Sequence, residues 1–448
     1  MNDAQKLIDD GDYLNALKLL NDRLDDDPDD LTSLFQIGEV FLLSNKLGLA
    51  FNVFLALSKK APNRPEVWNN LGRCLQKRDK SKEARNYFQK ALNIDPNFPS
   101  ALINLAVIDV NEGNPKRAVK LAQKALNFDR YSRQARDVIA MGKLQLRDWS
   151  GFEDFLESEG PPFRPLRQYS VPPEKEWMGE HGETVVVYRE QGLGDEILFA
   201  SCVDEAIGIS RKVILDVDKR LVGLFKRSFP KADVYGTGYA KELDWPKDYN
   251  ITSSAPMGRL PYFFRKRDED FIGKVYLKAC PLRTTAYKAL LDSLGSGLKI
   301  GIAWTGGKRV DQVTKDDAEY RSIDLEDLKP LIHPDHHYIS LEYRETETFG
   351  LVHDFPFITR TQDYDDTAAL VNALDFVIAI PTTVVHLAGA LGKPCYCLVP
   401  EFSNWRFGLE GEMIWHKSVK LFRGDNNINQ LERYLYESGC YRSSRTGT

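Results

Sequence analysis

Apolar positions recur at helical spacing over the first 150 residues, and the pattern repeats in register. Ala16, Ala50, Ala84 and Ala118 stand 34 residues apart, Pro28, Pro62 and Pro96 keep the same step, and Leu20, Phe54, Phe88 and Ala122 form a further column. A fixed step of this size marks a stacked repeat, in which each unit buries its apolar face only against a neighbour. The spacing predicts helical hairpins over 31–64, 65–98 and 99–132, with a partial one before them and a degenerate one around 133–157. Gly72 and Ala84 are small enough for two helices to approach closely, and Pro96, which lacks an N–H, ends the second helix. Beyond His181 the period changes. TVVVYRE (184–190), KVILDVD (212–218) and ADVYGTG (233–239) read as strands, with helices after Gly194 and over RLVGLFKRSF (220–229). From about 298 the alternation restarts: KIGIAWTGG is a strand and turn, SIDLEDLKPLI a helix, HYISLEY a strand, ALVNALD a helix, FVIAI a strand, TTVVHLAGALG a helix and PCYCLVP a strand. Repeated β–α units predict parallel sheets, and the restart predicts two in tandem with a cleft between them.

The best copy of the repeat runs from Pro65 to Phe98, with Trp68, Leu71, Gly72, Leu75, Ala84, Phe88, Ala91 and Pro96 in place. It resembles the tetratricopeptide repeat position by position. Such arrays present a concave surface to peptides or partner proteins. Packing on the rest of the chain or homo-oligomerisation is the plainer alternative. Residues 158–183, with Pro161, Pro162, Pro165, Pro172 and Pro173, predict an extended tether. The expected division is therefore 1–157 repeats, 158–183 linker, 184–295 and 296–430 two Rossmann-like domains, and 431–448 a closing helix and tail.

Composition narrows the class. The chain has 448 residues, 42% hydrophobic and 28% charged, as expected of globular domains. No apolar run of about eighteen residues is free of charge or proline, so a transmembrane segment is not expected. MNDAQKLIDD has neither a basic nor an apolar leader region, and the six scattered cysteines form no CxxC pair. A cytoplasmic setting fits these features. The net charge of −5 hides a gradient: six basic against eleven acidic residues in 1–60, seventeen against nine in 61–150, and an acidic remainder. The basic segment belongs to the repeats, so nucleic acid is not the expected partner of the acidic second half.

Candidate chemistry lies beyond the carboxyl ends of the predicted strands, where open α/β sheets bind ligands. In Glu190-Gln-Gly-Leu-Gly-Asp195, Gly192 and Gly194 permit a tight turn before a helix, and Asp195 is either a general base or a helix cap. The turn is no dinucleotide fingerprint, because Ile197 stands where a third glycine belongs. GIAWTGGKR (301–309) is no phosphate loop, because Arg309 replaces the Ser/Thr. Lys308 and Arg321, followed by Ser322, suit phosphate oxygens or are solvated surface charges. In Ile380-Pro381-Thr382-Thr383-Val-Val-His386, Thr382 and Thr383 open a helix whose first amides suit phosphate. His386 is either a pocket residue one turn further on or a core histidine. Asp216-Val-Asp218, the His333/His336/His337 loop and the acidic run 25–30 lack the ligand pattern of metal sites.

EQGLGDEILFAS, GIAWTGG, RSIDLEDLKPLI, ISLE, DDTAALVNALDFVIAIPTTVVHLAGALGKP and NWRFGLEGEMIWHKSVKLFR follow one another in the order seen in tetratricopeptide-linked glycosyltransferases. Over 184–423 the chain resembles the heptosyltransferases of glycosyltransferase family 9. The resemblance implies a GT-B fold, in which the first Rossmann-like domain holds the acceptor and the second a nucleotide-diphosphate-sugar. It implies inversion at the anomeric carbon without a metal or other cofactor. Asp195 would be the base, Lys308 and Arg321 would neutralise the leaving diphosphate, and Thr382, Thr383 and His386 would line the donor pocket. Glu342 and Glu345 are alternative ligands for the ribose hydroxyls. The chain departs from the family at Pro381, where an aspartate is usual, which leaves the donor sugar open. A non-catalytic scaffold with a degenerate GT-B domain is the alternative, and a glycosyltransferase acting on nucleic acid is a more distant one.

Overall fold

A computed structural model describes residues 3–159, 169, 174–189, 191–237, 243–306, 322–346, 348, 350, 352–361 and 363–441. The chain forms two compact units, Met1–Lys143 and Leu144–Thr448.

The first unit is built of helices: α1 (Asp3–Asp9), α2 (Tyr13–Asp26), α3 (Leu31–Leu43), α4 (Leu47–Lys60), α5 (Pro65–Gln76), α6 (Ser81–Ile94), α7 (Pro99–Asn111), α8 (Pro115–Leu126) and α9 (Arg133–Gln145), the last of which contains the division. The periodic residues explain the hairpins. Pro28, Pro62 and Pro96 each fall two residues past a helix end, at α2, α4 and α6. Pro65, Pro99 and Pro115 open α5, α7 and α8, where the missing N–H costs nothing. The acidic run 25–30 ends α2 and forms the turn to α3, and its last residue, Asp30, caps α3 by accepting from the Thr32 and Ser33 amides. Gly38 and Gly72 lie under the rings of Phe54 and Phe88; a Cβ at Gly72 would stand 2.5 Å from Phe88. Gly11, Asn45, Asp79, Gly113 and Arg147, each 34 residues from the last, share a positive φ. This left-handed residue makes the turn inside each hairpin, and the column extends the repeat geometry to Arg147. Packing divides earlier than the expected boundary at 157, because Leu144, Trp149 and Phe152 enter the core of the second unit.

The second unit holds two wholly parallel sheets. In the first, β1 (Lys175–Glu176), β2 (Thr184–Tyr188), β3 (Lys212–Asp216), β4 (Asp233–Tyr235) and β5 (Ser253–Pro256) lie in the order β1-β5-β2-β3-β4. In the second, β6 (Lys299–Ala303), β7 (His337–Ser340), β8 (Val352–His353), β9 (Phe376–Ala379), β10 (Cys395–Val399) and β11 (Val419–Arg423) lie as β8-β7-β6-β9-β10-β11. The latter is the 3-2-1-4-5-6 order of a doubly wound sheet. β2, β6 and β9 are buried along their whole length, as strands covered on both faces must be.

Three expectations need correction. Part of the expected tether is sheet and core: Lys175 and Glu176 pair with β5, and Trp177 is fully buried against Phe263 and Phe264. Residues 160–168 and 170–173 of that tether lie outside the described residues, as do 442–448 of the expected tail. The helix expected over 322–332 is a 3-10 helix, Leu325–Leu331, with Pro330 inside it; proline denies an α-helix its hydrogen bond there. The closing helix starts at Asn427 rather than 431.

Candidate functional site

In the second sheet chain order reverses once, between β6 and β9, and in the first β5 is inserted between β1 and β2, so the order also turns back beside β2. The turns that leave β2, β6 and β9 therefore open at the places where doubly wound sheets bind ligands. They carry the candidate residues.

The turn after β2 leads into the helix Leu193–Phe199, capped by Gly192. Gly192 is extended, with φ −75°, so the turn does not require a glycine for its backbone angle. Gly194 is required for proximity: a Cβ there would lie 3.1 Å from Thr383 Oγ1 and 3.4 Å from Thr383 Cα. The helices Leu193–Phe199 and Thr383–Ala390 thus touch at their first turns, where Gly194, the residue before Asp195, lies against Thr383.

Asp195 is not the helix cap. Its Oδ1 accepts from Arg406 Nε at 2.6 Å, and the two side chains keep 22% and 19% exposure. Glu196 turns the other way. It is 1% exposed, accepts from the Asp218 amide at 2.8 Å and faces Arg189 Nε at 3.4 Å. Burial pushes its carboxyl up to about 8, against the pull of that amide and of Arg189. Neighbouring carboxylates are in this way split between a site-facing and a core-facing role.

Thr382 precedes the helix Thr383–Ala390, and its buried hydroxyl oxygen has no hydrogen-bond partner among the described residues. His386 is 4% exposed and packs on Phe407, with Nδ1 3.4 Å from His416 Nε2. Of the two roles open to it, the structure gives it the core one. Burial, aided by the nearby Arg406 charge, presses its pKa down to about 3, and burial drives His416 well below its ordinary value. Both rings are neutral near pH 7. Gly389 leaves room for this pair, since a Cβ there would overlap the His416 ring.

After β6, Glu342 (2% exposed) accepts from the Trp304 amide at 2.7 Å, the Thr305 amide at 2.9 Å and the Thr305 hydroxyl. This carboxylate is committed to its own turn, whereas Glu345 is exposed. Ser322 Oγ accepts from the Gly306 amide at 3.2 Å. Lys308 and Arg321 lie outside the described residues. The decoy carboxylates are occupied as well: Asp216 accepts from Tyr169 and Thr237, and Asp218 pairs with Arg220 and Arg189.

Sequence reasoning missed Arg406. It sits in the long connection between β10 and β11, a segment with no periodic signal. Trp405 anchors it, stacked on Phe199 (6.3 Å between centroids, 13°) and edge-on to Phe152 (5.8 Å, 87°). The guanidinium lies over the Trp405 ring at 4.6 Å. A separate cavity of about 570 Å³, lined by Arg147, Trp149, Tyr262, Lys266 and Asp268 among others, includes none of the candidate residues.

Comparison with known proteins bears on the first unit. Residues 65–98, the helices α5 and α6 with their flanking turn, match the tetratricopeptide repeat family. The chain contains a tetratricopeptide repeat. Along most of its length, the chain is 26% identical over 428 residues to protein FlbA of Caulobacter vibrioides, covering 88% of this chain and 70% of FlbA. Over 92 residues it is 32% identical to the peroxisomal targeting signal receptor of Kluyveromyces lactis, which covers 20% of this chain and 16% of the receptor. Among solved structures, MamA is 18% identical with a TM-score of 0.30, over 35% of this chain and 85% of that one. Pseudomonas aeruginosa pilF is 18% identical with a TM-score of 0.32, over 35% and 73%. The tetratricopeptide repeat and the candidate residues 192–195 and 382–386 fall in different compact units. No helix of the described residues is long and apolar enough to cross a membrane.

Proposed function

We propose that the second unit is an inverting, metal-independent glycosyltransferase of GT-B architecture, using a nucleotide-diphosphate-sugar donor and a hydroxyl acceptor. The observation that carries this reading is the meeting of Gly194-Asp195 with Thr383 at the carboxyl ends of two parallel sheets. It sets a carboxylate from one sheet beside a helix start from the other. In the reaction, Asp195 takes the proton of the acceptor hydroxyl while that oxygen bonds to the anomeric carbon. The bond from the anomeric carbon to the diphosphate oxygen breaks, and its electron pair leaves with the nucleotide diphosphate. The Thr382 hydroxyl and the first amides of Thr383–Ala390 supply donors for the diphosphate. Lys308 and Arg321 remain in the proposal as cations for the leaving group.

The tetratricopeptide repeats recruit a protein or peptide partner. The match to a receptor named for a targeting signal supports that part.

Turnover of ADP-, GDP-, UDP- and CMP-sugars is the direct test. One donor is expected to be hydrolysed or transferred, and Asp195→Asn to lower turnover by about 10²-fold or more without loss of nucleotide binding. Absence of binding and turnover across the panel would remove the enzyme reading. It would leave the second one, a non-catalytic scaffold, which Pro381 in place of a carboxylate favours.

A further inference from the structure

Arg406 and Asp195 come from opposite sheets. Asp195 follows β2, and Arg406 lies between β10 and β11. Their pair at 2.6 Å is half-sheltered, so each charge is felt more strongly than on an open surface. The pair is not a bidentate fork, because Asp195 takes Nε alone. Nη2 reaches Gln191 Oε1 only at 3.5 Å. The rest of the guanidinium therefore has donors to spare among the described residues. The backbone beneath it is held by Trp405 against Phe199, Phe152 and Trp415. The guanidinium itself rests over the Trp405 ring at 4.6 Å. Phe407, the next residue, packs on His386 (5.6 Å between ring centroids), on the helix that Thr383 opens, so Arg406 stands beside the helix of the proposed diphosphate seat.

We infer that Arg406 is shared between two anions, the Asp195 carboxylate and the diphosphate of the nucleotide donor, so that donor binding frees the base. This inference rests on the proposed glycosyltransferase reading. A diphosphate carries more charge than one carboxylate and matches the planar fork of an arginine. It draws Arg406 away from Asp195, whose Oδ1 is then open to the acceptor hydroxyl. The arrangement makes the base available only in the donor-loaded protein and keeps it neutralised otherwise.

A double-mutant cycle on the full chain tests the sharing. Inorganic pyrophosphate and the diphosphates ADP, GDP and UDP are titrated by calorimetry into the wild type, Asp195→Asn, Arg406→Gln, Arg406→Lys and the double variant D195N/R406Q. If Arg406 is shared, D195N binds the preferred diphosphate about tenfold more tightly than wild type. R406Q binds it about tenfold more weakly, R406K falls between, and D195N brings no gain once residue 406 is glutamine. Thermal melting of each variant confirms that it is folded, and R406K carries the test should R406Q fail to fold. A D195N gain that persists undiminished in the R406Q background overturns the sharing. So does diphosphate binding that is indifferent to residue 406. Either result leaves the glycosyltransferase reading standing. Failure of every diphosphate to bind both wild type and D195N overturns both.

Discussion

The buried pair His386 and His416 makes the second unit less stable in acid. In an unfolded chain both rings titrate near 6.5, whereas in the fold His386 does not bind a proton until about pH 3 and His416 is also held well below its usual value. As pH falls below 6.5 the unfolded state takes up protons that the native state refuses, so stability is lost. Above 6.5 neither state is protonated and the contribution is complete. The expected loss is about 1.4 kcal/mol per pH unit for each ring. Urea midpoints measured from pH 7.5 to 5.5 check it: His386→Asn should flatten the slope by one proton, and an unchanged slope would count against the pair. His416 was not legible in the chain, because it sits in a segment without a period, and its packing on Gly389 of the expected helix was therefore not legible either. Gly72, by contrast, was legible, since its column recurs at each step and the Phe88 ring fills the space it leaves.

At the scale of elements, strands rich in branched or aromatic residues could mostly be read directly, while β1, β5, β8 and β11 could not. β2, β6, β9 and β10 are rich in branched or aromatic residues. β5 is Ser-Ser-Ala-Pro, with Ser253 and Ser254 buried at 0% and 1%; its place comes from pairing with β2, not from strand propensity. β1 and β8 have two residues each, too few for an alternation to register. The candidate site was legible where it lies on strand ends, at Asp195 and Thr383, and not where it hangs on an irregular connection, at Arg406.

A second ionic link joins elements that follow different sheets. Asp365, at the start of the helix Tyr364–Ala373, is 4% exposed and takes both arms of Arg227 from the helix Val222–Ser228. Arg283 of the helix Pro281–Asp292 adds Asp363 at 2.6 Å and Asp366 at 3.1 Å. Asp365→Asn leaves a half-buried arginine without its counter-charge. Because that arginine is partly open to water, the expected cost is about 2 kcal/mol rather than the full penalty of a buried pair. Chemical denaturation of the variant at low and high salt measures it, and a cost that salt does not reduce would point to packing instead.

On the scale of the whole molecule, the repeat unit and the sheet unit carry separate apolar clusters. Phe88 belongs to a cluster formed by α5, α6 and α7, with Ala84, Ala91, Ala101 and Leu105. Phe88→Ala should cost about 3–5 kcal/mol in that unit. Loss of helical dichroism at lower temperature, together with loss of partner capture and retained donor turnover, is the expected result. Loss of turnover in equal measure would mean that the chemistry depends on the array. The mild net charge of the chain is a poor guide to either unit, since basic residues concentrate in 61–150 and acidic ones on both sides.

The left-handed turn residues Gly11, Asn45, Asp79, Gly113 and Arg147 give the array a unit of length. Glycine, asparagine and aspartate accept that backbone angle readily, and Arg147 is the one residue of the column outside these types. Insertions of whole 34-residue steps are therefore the ones that keep every turn residue in its bend. A duplication of one step between Asp79 and Gly113 restores every turn. A shorter or longer insertion moves a helix-forming side chain into the bend and the bend into a helix. Length in this half of the protein is thus quantised by its turns, which makes the number of repeats, rather than the sequence of any one of them, the natural variable for changing its reach.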